Sequence, residues 1–107
     1  MSAITTHVLD IARGQPASGI RVSLEVQFPD GAWNPLGREV TGPDGRAPNL
    51  LPKDVKLAEA VYRLTFQNLP EGLFPEVLIT FRVRDASRSY HIPLLVSPYG
   101  YTTYRGS

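Results

Sequence analysis

Prolines fall so often along this chain that a long helix has almost nowhere to form. Ten prolines and nine glycines are spread through its 107 residues, and each proline removes a backbone donor and clashes with the preceding helical turn. What survives between them is a series of short runs bounded by turn residues, the sequence cue for an all-β sandwich or barrel. The cleanest run covers residues 20–28, where Ile20, Val22, Leu24, Val26 and Phe28 alternate with Arg21, Ser23, Glu25 and Gln27. A period of two sends successive side chains to opposite faces, so this segment predicts a half-buried antiparallel strand with all five apolar residues in the core.

Other runs follow the same rule. Residues 4–10 place Ile4, Thr6 and Val8 on one face and Thr5, His7 and Leu9 on the other. In 61–67, Tyr62, Leu64 and Phe66 oppose Val61, Arg63, Thr65 and Gln67, while 76–84 carries the stripe Val77, Ile79, Phe81 and Val83. Residues 33–40 are interrupted by Pro35 and Gly37, which predicts an edge strand or a bulge. Gly, Pro and Asp clusters predict turns at 29–31, 41–45 and 85–87, with loops at 12–19 and 68–72. Residues 52–60 suit at most one helical turn. The expectation is roughly eight short strands in one domain spanning 1–107.

A domain of this size buries roughly 65% of the surface its unfolded chain exposes, a modest core that oligomerisation would reinforce. The chain has no cysteine, which excludes disulfides and thiolate chemistry. Its net charge is +1 and its basic residues are scattered, which argues against a nucleic-acid partner. No apolar run approaches the roughly 20 residues that span a bilayer, so no membrane partner is expected. The beginning of the chain shows neither a basic n-region nor an apolar h-region, and the expected location is cytoplasmic.

Residues 90–107 are the most informative stretch. Tyr90, Ile92, Leu94 and Val96 form a core stripe, whereas Ser89, His91, Pro93, Leu95 and Ser97 share a face that is neither polar nor apolar. Such a face calls for cover by another subunit or a ligand. A Pro98-Tyr99-Gly100 turn then leads into a second β-prone run ending Tyr104-Arg105-Gly106-Ser107.

Few residues here can carry chemistry at neutral pH. His7 and His91 are the only two histidines, both mid-strand, and each reads equally as a half-buried ring making one hydrogen bond or as a general base. Arg46, directly after Asp44-Gly45, is either a surface arginine or a fork-shaped donor that a rigid turn presents to an anionic or oxygen-rich ligand. Arg105 has the same two readings and also stands close enough to Ser107 to pair with its carboxylate. Tyr101 and Tyr104 read as packing residues on opposite faces. A zinc site needs three or four ligands, and His7 and His91 offer two, with nothing in the spacing of Asp10 or Glu76 to complete it. Neither Ser97 nor Ser107 lies in a Gly-x-Ser-x-Gly elbow, and no phosphate loop or dinucleotide fingerprint is present. Enzyme, ligand carrier and structural module all remain open on this basis.

Three separated motifs narrow the choice. Thr6-His7-Val8-Leu9-Asp10 with Gly14-Gln15-Pro16-Ala17, then Asp44-Gly45-Arg46, then the whole of 90–107, together resemble the 5-hydroxyisourate hydrolases, the transthyretin-like enzymes of purine catabolism. The intervening Tyr62-Arg63-Leu64-Thr65-Phe66 and Phe74-Pro75-Glu76-Val77 extend the likeness over nearly the whole chain. The resemblance implies a sandwich of two four-stranded sheets and a homotetramer with sites where two dimers meet. It implies hydrolysis of 5-hydroxyisourate to 2-oxo-4-hydroxy-4-carboxy-5-ureidoimidazoline, in urate degradation, without a cofactor. By the same resemblance His7, Arg46 and His91 are catalytic, while Tyr104, Arg105 and Ser107 close the substrate pocket. The chain departs from the family pattern between Phe66 and Phe74, where the usual short helix is expected to be reduced or missing. A transthyretin-like carrier of a small aromatic ligand, without catalysis, is the alternative the resemblance leaves.

Overall fold

The structure, a computed structural model, describes residues 2–107. Its strands are β1 (Ile4–Asp10), β2 (Gln15–Pro16), β3 (Arg21–Gln27), β4 (Trp33–Val40), β5 (Arg46–Ala47), β6 (Ala60–Gln67), β7 (Glu76–Val83), β8 (Tyr90–His91), β9 (Leu94–Ser97) and β10 (Gly100–Thr103). One sheet runs β4-β3-β6-β7, antiparallel throughout. The other runs β10-β9-β1-β2, with β5 and β8 also paired to β1. The expected pair of four-stranded sheets therefore becomes four and six, because two-residue pieces flank β1. A two-residue ladder leaves no periodic signal, and this hides β2 inside a predicted loop and β5 behind a predicted turn.

Alternation delivers the core. Ile4, Val8, Leu24, Leu64, Phe66 and Leu94 are fully buried, and Tyr90, Ile92 and Val96 join them in one cluster drawn from both sheets. Each fully buried side chain of this kind contributes about 1.5–3 kcal/mol. Phe28 departs from its expected place and is 48% exposed. Pairing of β3 stops at Gln27, and Phe28 instead opens the turn, its N–H donating to Ala32 and its carbonyl accepting from Gly31.

Strand β4 lies at an edge and carries the bulge. Its register moves from Leu24↔Gly37 to Glu25↔Pro35, leaving Leu36 as the extra residue. An edge tolerates Pro35 because one side of the strand needs no donors. Beneath this sheet's outer face, Arg63 pairs with Glu25 at 2.8 Å and stacks 4.2 Å over Trp33. No helix occurs among the described residues: Val55 closes a single turn onto Pro52, and 68–75 connects β6 to β7 through Asn68 at φ 64°. None of the described segments is a helix long and apolar enough to cross a membrane.

Pro93 breaks the C-terminal run into β8 and β9, since it has no N–H to give the ladder. The expected cover for its face comes partly from the chain itself. Pro93 is buried, and a Cβ built on Gly106 would lie 3.5 Å from its ring. Leu95 is half-buried.

Candidate active site

Strand β1 is the spine of the site because it carries partners on both sides. Along one side run β8 and β9, parallel to it, with Thr5 opposite His91. Along the other run β5 and β2, with His7 opposite Arg46. Paired residues project to the same face of a sheet, and Thr5 and His7 share a face by the period of two. Thr5, His7, Arg46 and His91 are thereby gathered on the outward face, opposite the buried Ile4, Thr6 and Val8.

The turn before Arg46 is fixed by its backbone. Gly45 N–H donates to Gly42 at 2.8 Å, and the Asp44 carboxylate accepts from Arg46 N–H at 3.0 Å. Gly45 sits at φ 78°, and a Cβ there would collide with the carbonyl oxygen of Val8. The Asp44 carbonyl lies 2.8 Å from His7 Nε2. A carbonyl only accepts, so Nε2 carries the hydrogen of this bond and ties the His7 ring to the turn. Arg46 reaches the Asp44 carboxylate only at 4.0 Å, with both side chains more than half exposed. Such a pair is worth little and leaves the guanidinium free for another anion.

The chain end continues β10 along the same register, from Gly100↔Ser97 and Thr103↔Leu94 to a bridge at His91↔Gly106. Gly106 N–H donates to the His91 carbonyl at 2.8 Å. Arg105 lies 4.2 Å over the Tyr90 ring and donates to the Ser89 carbonyl at 3.2 Å. It forms no ion pair with Ser107, contrary to that sequence expectation. Tyr90 in turn donates through Oη to the Asp85 carbonyl at 3.0 Å. Hydrogen bonds from the Ser87 hydroxyl and backbone hold the Asp85 carboxyl below its usual value.

These elements enclose an open cleft of about 1000 Å³ whose wall includes Thr5, Arg46, Arg88, His91, Arg105 and Ser107. Arg46, Arg88 and Arg105 line it and no Asp or Glu does, so its wall carries an excess of positive charge, which suits an anionic ligand. At its side, His91 is half-buried with Nδ1 2.8 Å from Thr5 Oγ1. Burial, then the charges of Arg46 and His7, lower the His91 pKa below its usual 6.5. The ring is thus predominantly neutral at pH 7, as a base must be.

Of the residues singled out in the sequence, Arg46, His91, Arg105 and Ser107 meet in this cleft. His7 stands beside it, across the ladder from Arg46, and does not form its wall. Tyr104 is also outside the wall and 55% exposed. Sequence reasoning missed Thr5 and Arg88. The signal for Thr5 was its position two residues before His7, and for Arg88 its place in the turn just ahead of the Tyr90-His91 pair.

A family model described as HIUase/Transthyretin family matches residues 4–106. The chain belongs to this family. A 5-hydroxyisourate hydrolase of Mus musculus is 39% identical over 115 residues, covering 99% of this chain and 96% of the relative. The solved 5-hydroxyisourate hydrolase of Klebsiella pneumoniae superposes with a TM-score of 0.80 at 32% identity, covering 97% of this chain and 98% of that one. Sea bream transthyretin, solved with thyroxine, gives a TM-score of 0.88 at 24% identity over 98% of this chain and 95% of its own, a likeness of fold alone. Within the HIUase/Transthyretin family, then, both the fold and a hydrolase relationship along the full length are secure.

Proposed function

We propose that this protein hydrolyses 5-hydroxyisourate, an oxygen-rich and acidic heterocycle, to 2-oxo-4-hydroxy-4-carboxy-5-ureidoimidazoline. The observation that carries the reading is a half-buried His91, its pKa lowered by burial and then by the charge of Arg46, that lines one cleft together with Arg46, Arg88 and Arg105. Water adds its oxygen to the ring carbonyl carbon and passes a proton to His91, acting as general base. Arg46 stabilises the negative charge that develops on the carbonyl oxygen. The acyl carbon–nitrogen bond then breaks, the nitrogen takes the proton back from His91, and the ring opens to a carboxylate and a ureido group. His7, hydrogen-bonded to the turn that carries Arg46, shares in proton delivery. Arg105 and Ser107 close the end of the pocket, and Tyr104 completes it in an assembly, since within one chain it lies outside the wall. No cofactor enters these steps.

The reading includes a homotetramer in which a neighbouring subunit covers the Leu95 face and the exposed Tyr99, Tyr101 and Tyr104. Sedimentation tests this, and a clean monomer at micromolar concentration refutes it. A cytoplasmic location goes with the same reading and is tested by fractionation. The activity is tested by generating 5-hydroxyisourate from urate with urate oxidase and following its ultraviolet decay. The protein should accelerate the decay, and His91→Asn or Arg46→Ala should lower turnover about 10²-fold or more with the assembly intact. A decay no faster than the protein-free control refutes the hydrolase and favours a carrier.

A further inference from the structure

The His91 ring is held from two directions by groups that do no chemistry themselves. On one edge, Nδ1 lies 2.8 Å from Thr5 Oγ1. On another, Gly106 approaches so closely that a Cβ there would stand 2.6 Å from Cδ2 and 3.4 Å from Cγ. With Nδ1 tied and Cδ2 covered, Cε1 and Nε2 form the remaining free edge of the ring, whose residue lines the cleft.

We propose that Thr5 and Gly106 are positioning residues that clamp the His91 imidazole, Thr5 accepting a hydrogen bond from Nδ1–H so that Nε2 presents its lone pair to the cleft. The inference rests on the hydrolase reading of the same cleft, and it specifies which nitrogen is basic there. In a neutral imidazole one nitrogen donates and the other accepts, so a partner on Nδ1 decides the role of Nε2. A threonine hydroxyl can accept that hydrogen and still turn its own O–H to water, because Thr5 is half-exposed. Gly106 acts by absence. Its backbone lies outside the left-handed region, and Pro93 at 3.5 Å is an ordinary contact, so what opposes alanine there is the His91 ring. Restoring an ordinary 3.4 Å contact from 2.6 Å moves the ring by about 0.8 Å, and displacements near 1 Å cost on the order of 10²-fold when they misplace a reacting group.

The experiment compares Thr5→Val, Thr5→Ser and Gly106→Ala with wild type in the full-length protein. The first readout is the nitrogen chemical shifts of the His91 ring, which report tautomer without any substrate. Wild type and Thr5→Ser should hold the proton on Nδ1, and Thr5→Val should release it toward Nε2. The second readout is the pH profile of kcat/KM. Arg46, His7, Arg88 and Arg105 remain in every variant, so a moved acid limb in Thr5→Val reports the lost partner. The expected loss in kcat is about tenfold to 10²-fold for Thr5→Val and for Gly106→Ala, largely restored in Thr5→Ser. A wild-type ring protonated on Nε2, or a Thr5→Val protein with unchanged shifts and kcat, overturns the clamp. Full turnover in Gly106→Ala overturns its second half. Should wild type fail to accelerate decay, the hydrolase reading falls while the ring shifts still decide the clamp.

Discussion

Gly45→Ala tests how the fold sets the position of Arg46. Glycine at φ 78° occupies the left-handed region, where a Cβ costs about 1–2 kcal/mol. The space is also taken, since the added Cβ would meet the Val8 carbonyl oxygen, with Pro16 Cβ at 3.0 Å and Ala17 N at 3.2 Å. All three belong to the ladder around β1. Val8 N–H donates to Gly45 at 2.8 Å and the Val8 carbonyl accepts from Ala17 at 2.9 Å. Separating the strands enough for a methyl group weakens at least one of these bonds, each worth about 1 kcal/mol. The sum is a destabilisation of about 2–4 kcal/mol, or a Tm lowered by about 10–20 °C for a chain of this length. Gly31→Ala is the control, because its φ of 91° carries the same conformational penalty while nothing lies within 4 Å of the new Cβ. The difference between the two in thermal and urea unfolding isolates the clash. Turnover measured below both transitions should also fall in Gly45→Ala alone, because the turn holds both Arg46 and the His7 partner. Equal stability in the two variants, or normal turnover in Gly45→Ala, would refute this account.

Three further outcomes are expected. Phe66→Ala, at a fully buried position in the other sheet, should cost about 3–5 kcal/mol in urea unfolding while leaving the turnover of folded protein intact. Arg88→Gln should lower kcat/KM more than kcat and flatten its dependence on ionic strength, because one of three charges drawing an anion to the cleft is removed. His91 gives a pH dependence. The folded ring binds its proton less tightly than the unfolded chain, so as pH falls through the usual value of 6.5 the unfolded state takes up more protons and the native state loses stability. That contribution is present above pH 6.5 and disappears from His91→Asn, which denaturation at several pH values would reveal.

Period-two alternation located β1, β3, β6, β7 and β9, because those strands bury one face and the pattern follows directly from that, whereas β4 and β10 bury no residue fully and were legible only as β-prone runs between turns. It overreached at Phe28, where the turn redirected the chain, and it missed β2 and β5, whose ladders are set by β1. The site residues were legible as types. His7, Arg46 and His91 stood out because they were rare or followed a rigid turn. Their convergence was not legible, since the pairing of β1 with β8 joins residues 86 positions apart. Thr5 was hidden for another reason: a threonine in a strand needs no explanation until the ring beside it is seen. Arg105 was legible as a type only, since its place over the Tyr90 ring and its bond to the Ser89 carbonyl depend on how the last strand folds back.

The pairing of β1 with β8 must be held firmly if the site is to exist, and two adjacent threonines hold it from opposite faces. Thr5 Oγ1 meets His91 on the cleft side, while the buried Thr6 donates its hydroxyl to the Ile92 carbonyl on the core side at 2.5 Å. A slip of one residue would send Thr5 and His7 inward and turn Ile4 and Val8 to solvent. It would also strand the Thr6 hydroxyl without its partner, at a cost of about 1–3 kcal/mol. The apolar stripe and the buried hydroxyl thus enforce one register, and that register alone sets His91 beside Thr5 and Arg46 beside His7. Contacts so distant in sequence close large loops and form only once much of the chain is ordered. The geometry of the cleft is therefore a property of the completed sheet, and on the proposed hydrolase reading any substitution that loosens β1 should lower activity before it unfolds the protein.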